Sequence, residues 1–521
     1  MENERVSGPW EKRGEPRDRG AKSIKATHHA TDRNSAGRDM GLSTTKGKLL
    51  SALAITWLIL PQIAAPGTFR PQSINSAEGD TAQGATLLTF RKPAAEELDA
   101  APLAAVAAAP VPAEANPQID DISSTDQFPI DPALQKRVKF WVRVYTKLST
   151  SEGVLHDAKY VDVIYKRLDF SDLSDFTISA LEREKTITKR IKAEKKALED
   201  VLKGIHAKQH NPSALTGEES RIAQLLKDVN EPDKYKAAAH RKRLRFQLGQ
   251  RDRFLQGLYY SGRYLPTMER IFKAKGMPME LTRLPFVESS FNLKARSKVG
   301  ASGIWQFMRS TGKIFMRIDD TVDERNDPIR ATAAATDLLQ GNYAALGSWP
   351  LALTAYNHGR LGMVRAVQAV KSNNIVDIIE HYKSSSFGFA SSNFYAEFVA
   401  AKEIATHADR YFEHAEIDRL VEFAEFVMTD YIDLKDLSTY SRIPLDVLQD
   451  LNPGLSDQVL QSMRLVPAGY VLRIPPEERD RFLARYGEIP GYRKFSAQKI
   501  TPQRYIAEES RARRQKGRKR R

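Results

Sequence analysis

The spacing of apolar residues changes several times along this chain. Between Leu49 and Leu60 they form a nearly unbroken run, "LLSALAITWLIL". The run is shorter than the roughly 20 residues a membrane-spanning helix needs. Lys46 and Lys48 precede it, and the small residues Ala64 and Ala65 follow. That pattern predicts a Sec-type signal peptide, with an uncleaved membrane anchor as the alternative reading. From Pro66 to Phe128 the periodicity vanishes into stretches such as "AAPLAAVAAAPVPAEANP", which predicts a flexible tether. Helical spacing takes over from Ile130, where Asp131 and Pro132 supply an N-cap and a first-turn proline. Ile187, Ile191, Leu198, Leu202 and Ile205 recur among charged residues, predicting a long surface helix, read as half of a helical hairpin. A second helical stretch is expected from Arg243 to Gly276. Beyond Glu416 the pattern reads strand, helix, helix, strand. Asn452-Pro453-Gly454 acts as a stop, and Pro467-Ala468-Gly469 turns the chain into Val471–Ile474.

These changes divide the chain into a polar extension at 1–39, with Met40 as an alternative start, and a signal or anchor at 40–66. A linker at 67–128, a helical region at 129–274 and a central segment at 275–409 follow. A small α+β module is expected at 420–477 and a basic disordered tail at 492–521. The fold class expected is mainly α.

Composition adds limits. The chain has 521 residues, a net charge of +15 and no cysteine, so disulfides, thiolate metal sites and cysteine nucleophiles are excluded. Much of the positive charge lies near the ends, including "RARRQKGRKRR" at Arg511–Arg521. Such a tail suits an anionic wall or membrane surface. No nucleic-acid partner is expected, because neither an aromatic-interleaved basic strand nor a recognition-helix pattern accompanies the charge. The ten histidines are scattered, so no metal or other cofactor is expected.

The chemistry concentrates in "VESSFNLKARSKVGASGIWQFM", Val287–Met308. Glu288 follows the apolar run Leu284-Pro285-Phe286-Val287. A carboxyl beside apolar side chains loses hydration and holds its proton more tightly. An acid still protonated near neutral pH suits cleavage of a glycosidic bond, where the leaving oxygen needs a proton. Gly300 and Gly303 allow tight turns that bring Trp305 and Gln306 near, the first as an apolar plate for a sugar face and the second for an N-acetyl amide. In "LALTAYNHG", Tyr356 and Asn357 precede Gly359, where a helix would break.

Glu288-Ser289, "GASGIWQFM" at Gly300–Met308 and "AYNHG" at Ala355–Gly359 match, in order and spacing, three motifs of the soluble lytic transglycosylase (SLT) catalytic domain. The chain resembles the membrane-bound lytic murein transglycosylase D type of that family. The resemblance implies a lysozyme-like all-α domain that cleaves peptidoglycan between N-acetylmuramic acid and N-acetylglucosamine, leaving 1,6-anhydro ends. It implies Glu288 as the only catalytic carboxylate. It also implies that Ser289, Ser297, Trp305, Gln306 and Asn357 bind substrate or support the cleft. Tyr356 is implied to hydrogen-bond Glu288, and Tyr395, in "SSNFYAEFVAA", to line the cleft. Trp305 and Arg309 stand where Met and Pro are common in soluble members, which bears on subsite preference. Phe426–Pro475 resembles a degenerate LysM repeat, implying a grip on N-acetylglucosamine; a structural cap is the alternative. Two other readings stay open, a non-catalytic wall-binding scaffold and a hydrolytic lysozyme.

Overall fold

The structure, a computed structural model, describes residues 122, 124–173 and 178–498. The expected extension and signal or anchor lie outside the described residues, as does most of the linker and of the basic tail. Two of those boundaries move inward. Phe128, placed in the linker by its composition, is fully buried with its ring 5.3 Å from Phe398. At the other end, Phe495 exchanges backbone bonds with Tyr431, so order continues past Tyr492. No helix among the described residues is long and apolar enough to cross a membrane.

The fold is mainly α, as the spacing predicts. Helix α1 (Pro132–Thr146) starts where Asp131 caps it, its carboxylate accepting from the Ala133 amide at 2.9 Å. The region expected to be helical then departs from that reading. Strands β1 (Glu152–Asp157), β2 (Ile164–Asp169) and β3 (Leu244–Leu248) form an antiparallel sheet in the order β2-β1-β3. The strands are short, and β1 buries the polar His156 and Asp157, which breaks the alternation that marks a strand in sequence. Asp157 is held by Arg243 through a two-pronged contact.

Helices α2 (Ala180–Lys208), α3 (Gly217–Leu225) and α4 (Lys234–Ala238) cover this sheet. Leu198, Leu202 and Ile205 of α2 meet Leu155, Tyr165 and Ile222 in a core of their own. The charged remainder of α2 faces solvent, as its periodicity requires.

The main core is built from α1 and the helices after β3. These are α5 (Arg251–Ser261), α6 (Leu265–Ala274), α7 (Leu284–Glu288), α8 (Arg309–Phe315), α9 (Pro328–Leu346), α10 (Trp349–His358), α11 (Arg360–Val370), α12 (Ile375–His381), α13 (Phe389–Thr406) and α14 (Ala408–Tyr411). Helix α13 is apolar on nearly every side and packs against α1, α7 and α10, so it is the central post.

A third core gathers β4 (Ala424–Val427), α15 (Leu434–Ser441), α16 (Leu445–Leu451), α17 (Asp457–Leu460), β5 (Val471–Ile474) and α18 (Arg479–Glu488). Strands β4 and β5 pair antiparallel. The segment 320–327 plugs into this module: Val322 is fully buried in the module's core, and the Asp323 amide donates to the Gly454 carbonyl at 2.8 Å.

Arg473 of β5 meets Asp327 at 2.8 Å, both about 5% exposed or less. Removing one partner of a buried pair leaves the other charge unpaired. Asp327→Asn keeps an oxygen for capping α9 but removes the buried counter-charge of Arg473, leaving it only the exposed Glu425 carboxylate at 3.8 Å. A loss of about 3 kcal/mol is expected, measured by chemical denaturation; a loss under about 1 kcal/mol would show the pair to be water-screened.

Candidate active site

Glu288 is the last residue of α7, a single helical turn reached through a 3-10 stretch at Met279–Arg283. Pro285 sits in the first turn of α7, where its missing N–H costs nothing. Phe286 stacks on Phe254 of α5, ring centres 4.8 Å apart, which anchors the turn in the main core. The chain then reverses through Ser290 and Phe291, whose φ angles are +51° and +53°. Two consecutive non-glycine residues in the left-handed region are held only by surrounding packing. Gly257 of α5 provides it, since a Cβ there would stand 2.7 Å from the Ser290 carbonyl oxygen.

Glu288 is 4% exposed, and no hydrogen bond to it is formed among the described residues. Its proton affinity rises accordingly: burial, then the neighbouring charge of Glu397, pushes it up to about 8. An acid so placed is protonated at neutral pH and free to donate. Glu397, half-buried on α13, is also raised by burial, against the pull of Arg245.

The residues around Glu288 divide by what they touch. The Tyr356 hydroxyl donates to the Trp305 carbonyl at 2.8 Å, not to Glu288 as expected. It stays within reach of the acid's field, because burial and then the Glu288 charge raise its proton affinity far above the ordinary value. The Ser289 hydroxyl donates to the Ile304 carbonyl at 2.9 Å and so ties the Glu288 turn to the glycine-rich loop. Trp305 is no sugar plate. It is fully buried, stacked on Phe272, with its Nε1 donating to Thr332 at 2.9 Å.

Gln306 spends its amide N–H groups on the Gly303 and Ala295 carbonyls, at 2.8 and 3.1 Å, so its donors serve the loop. Ser297 accepts from the Ala301 amide at 2.9 Å and builds the same turn. Asn357, half-buried at the end of α10, accepts from Ser391 of α13 at 3.0 Å. Tyr395 is buried, and its hydroxyl donates to the Pro129 carbonyl at 2.9 Å. It ties α13 to the segment before α1.

The loop itself is pinned from outside. Arg325, 6% exposed, donates to the Gly300 and Phe307 carbonyls at 2.8 and 3.1 Å and pairs with Asp323 at 2.7 Å. Asp319, the next acid after Glu288, is committed to the Thr321 and Val322 amides, so it is engaged in its own turn.

Sequence reasoning missed Glu397, Arg245 and Tyr145. Glu397 is a carboxylate in the apolar run "YAEFVAA", which was a usable signal. Arg245 and Tyr145 come from distant elements and carried none. The described residues hold no group of acids and histidines arranged for a metal ion.

Comparison with known proteins places this geometry. Residues 269–379 match the Transglycosylase SLT domain family. The chain is 28% identical over 191 residues to membrane-bound lytic murein transglycosylase D of Escherichia coli strain K12, covering 36% of this chain and 42% of that protein. The same protein from Escherichia coli O6:H1 matches equally. The chain thus spans less than half the length of these relatives. The crystal structure of the 70 kDa soluble lytic transglycosylase from Escherichia coli aligns over 40% of this chain and 30% of its own, with 21% identity and a TM-score of 0.21. Glu397 and Tyr395 lie beyond the matched segment. The segment that matches the Transglycosylase SLT domain family, residues 269–379, carries Glu288, Ser289, Ser297, Trp305, Gln306, Tyr356 and Asn357.

Proposed function

We propose that this protein is a peptidoglycan lytic transglycosylase acting in the cell envelope. The observation that carries the reading is Glu288, buried and unbonded at the end of α7, holding its proton at neutral pH inside the SLT segment. Glu288 gives that proton to the bridging oxygen as the bond from muramyl C1 breaks. The N-acetyl group of the substrate shares the charge left at C1. The carboxylate of Glu288 then takes the proton of the muramyl C6 hydroxyl, whose oxygen bonds to C1. A 1,6-anhydro end forms, no water is consumed, and Glu288 returns to its starting state. A dry site favours both halves, because each is a proton transfer to or from a poorly hydrated oxygen.

In this reading the module at 420–477 is a LysM-like glycan-binding unit, and its docking on segment 320–327 lets it present glycan to the cleft. The apolar run at Leu49–Leu60 exports the chain or anchors it at the inner membrane, and the basic tail meets an anionic wall or membrane surface. Glycan strands are the substrate and main partner. No cofactor takes part.

Digestion of purified peptidoglycan by the full chain, followed by mass spectrometry of the fragments, tests the reaction. Anhydromuramyl ends are expected. Reducing muramyl ends would make the protein a hydrolase, and intact glycan would make it a binding protein.

A further inference from the structure

We infer that Arg325 and Asn326 are positioning residues for Glu288, and that the C-terminal module serves the reaction by gripping the segment that carries them. The catalytic consequence rests on the transglycosylase reading; the mechanical connection does not.

The connection begins beside the acid. Ser289, next to Glu288, donates to the Ile304 carbonyl at 2.9 Å. Tyr356 donates to the adjoining Trp305 carbonyl at 2.8 Å. The turn that ends in Glu288 is thereby tied to the glycine-rich loop at 300–307. That loop precedes α8, which begins only at Arg309, and its Gly300, Gly303 and Gln306 all have positive φ. Backbone of this kind keeps its shape where its polar groups find partners outside the loop.

Arg325 and Asn326 supply such partners. Nη1 of Arg325 bridges the Gly300 and Phe307 carbonyls, one at each end of the loop, at 2.8 and 3.1 Å. The Ser302 hydroxyl donates to the Asn326 side-chain oxygen at 2.6 Å. Gly303 lies flat against the same two residues, where a Cβ would overlap the Arg325 carbonyl. Arg325 is itself aimed by Asp323, whose carboxylate accepts from Nε and Nη2 at 2.9 and 2.7 Å. A planar guanidinium fixed along one edge presents its remaining N–H groups in a set direction.

The segment that carries these residues is gripped by the module. The Asp323 amide donates to the Gly454 carbonyl at 2.8 Å. Ser456 donates its amide to the Thr321 carbonyl at 2.9 Å and its hydroxyl to the Asp320 carbonyl at 2.6 Å. Val322, the one apolar residue of 320–327, is buried in the module's core and bridges to Leu455. Asp327 pairs with Arg473 of β5 and also caps α9, so the main core holds one end of the segment while the module grips 320–323. The segment thus gives its apolar side chain to one body and its Arg325 and Asn326 side chains to the catalytic loop. A module that only gripped glycan would need a tether, not a shared core.

The test uses the full chain. Hydrogen exchange read by mass spectrometry, without substrate and well below the melting temperature, follows the peptide covering 297–309. In Asn326→Ala and in Arg473→Met its exchange is expected to quicken about tenfold, with peptides from α13 unchanged. Arg473→Lys, which restores a cation opposite Asp327, returns most of the protection. Cleavage of soluble glycan strands, scored by anhydro ends, is the second readout. In both variants kcat is expected to fall about tenfold while KM changes less than about threefold. The double variant Ser302→Ala with Asn326→Ala is no slower than the slower single variant, because the two residues form one contact.

Unchanged exchange at 297–309 in both variants, an equal quickening in α13, or a wild-type kcat in Asn326→Ala would each overturn the inference. If the wild-type chain releases no anhydro ends, the functional reading fails instead, and the exchange profiles still decide whether the module holds the loop.

Discussion

Glu288→Gln abolishes glycan cleavage, a fall of about a thousandfold or more, while the protein stays folded and its stability at neutral pH is unchanged or raised. The two halves of this expectation have one cause. The carboxyl is 4% exposed and meets no hydrogen-bond donor among the described residues, so it contributes nothing to the fold that a neutral amide of the same shape would lose. What it contributes is a proton. The stability effect has a definite sign. Glu288 titrates at about 8 when folded, against an ordinary value of 4.5. The folded state thus holds a proton that the unfolded state has released between those values. Stability declines as pH rises across that window, at up to about 1.4 kcal/mol per pH unit. The Gln variant loses that part of the slope. Thermal melts from pH 4 to 9, beside the cleavage assay, check both halves.

Gly303→Ala is the largest structural effect expected. Gly303 has φ +76°, and a Cβ there would fall on the Arg325 carbonyl oxygen. The left-handed backbone costs an alanine about 1–2 kcal/mol, and the overlap is with backbone, which cannot rotate away. A total of about 3 kcal/mol or more is expected in chemical denaturation. Because Arg325 also holds the Gly300 and Phe307 carbonyls, the displaced segment is the loop that carries Trp305 and Gln306. Cleavage should fall with stability. A variant that melts within about 1 kcal/mol of wild type would mean that the loop shifts freely around Gly303.

Local features of the site were legible in the sequence, and long-range ones were not. The apolar run before Glu288 announced a dry acid because its neighbours in sequence are also its neighbours in space. The end of α10 at Gly359 was legible for the same reason. Trp305 was misread as a sugar plate because an exposed and a buried indole look alike in sequence. Its partners, Phe272 and Thr332, come from α6 and α9. Gln306 commits its amide donors to carbonyls of its own loop, a use its position in sequence did not reveal. The sheet at 150–250 was hidden by buried His156 and Asp157, which pack against Phe140 and Phe389 and pair with Arg243, respectively. Arg245, sitting in what read as a helical stretch, comes to lie over the Phe389 ring from a strand, β3, that pairs with β1.

The central claim is that the resting Glu288 carries its proton at neutral pH. Titration of its carboxyl carbon by NMR in glutamate-labelled protein, assigned by difference with Glu288→Gln, measures this directly. A neutral carboxyl at pH 7 that ionises near pH 8 is the result expected. A carboxylate already ionised at pH 7, titrating near 4.5 like an ordinary surface glutamate, would contradict it.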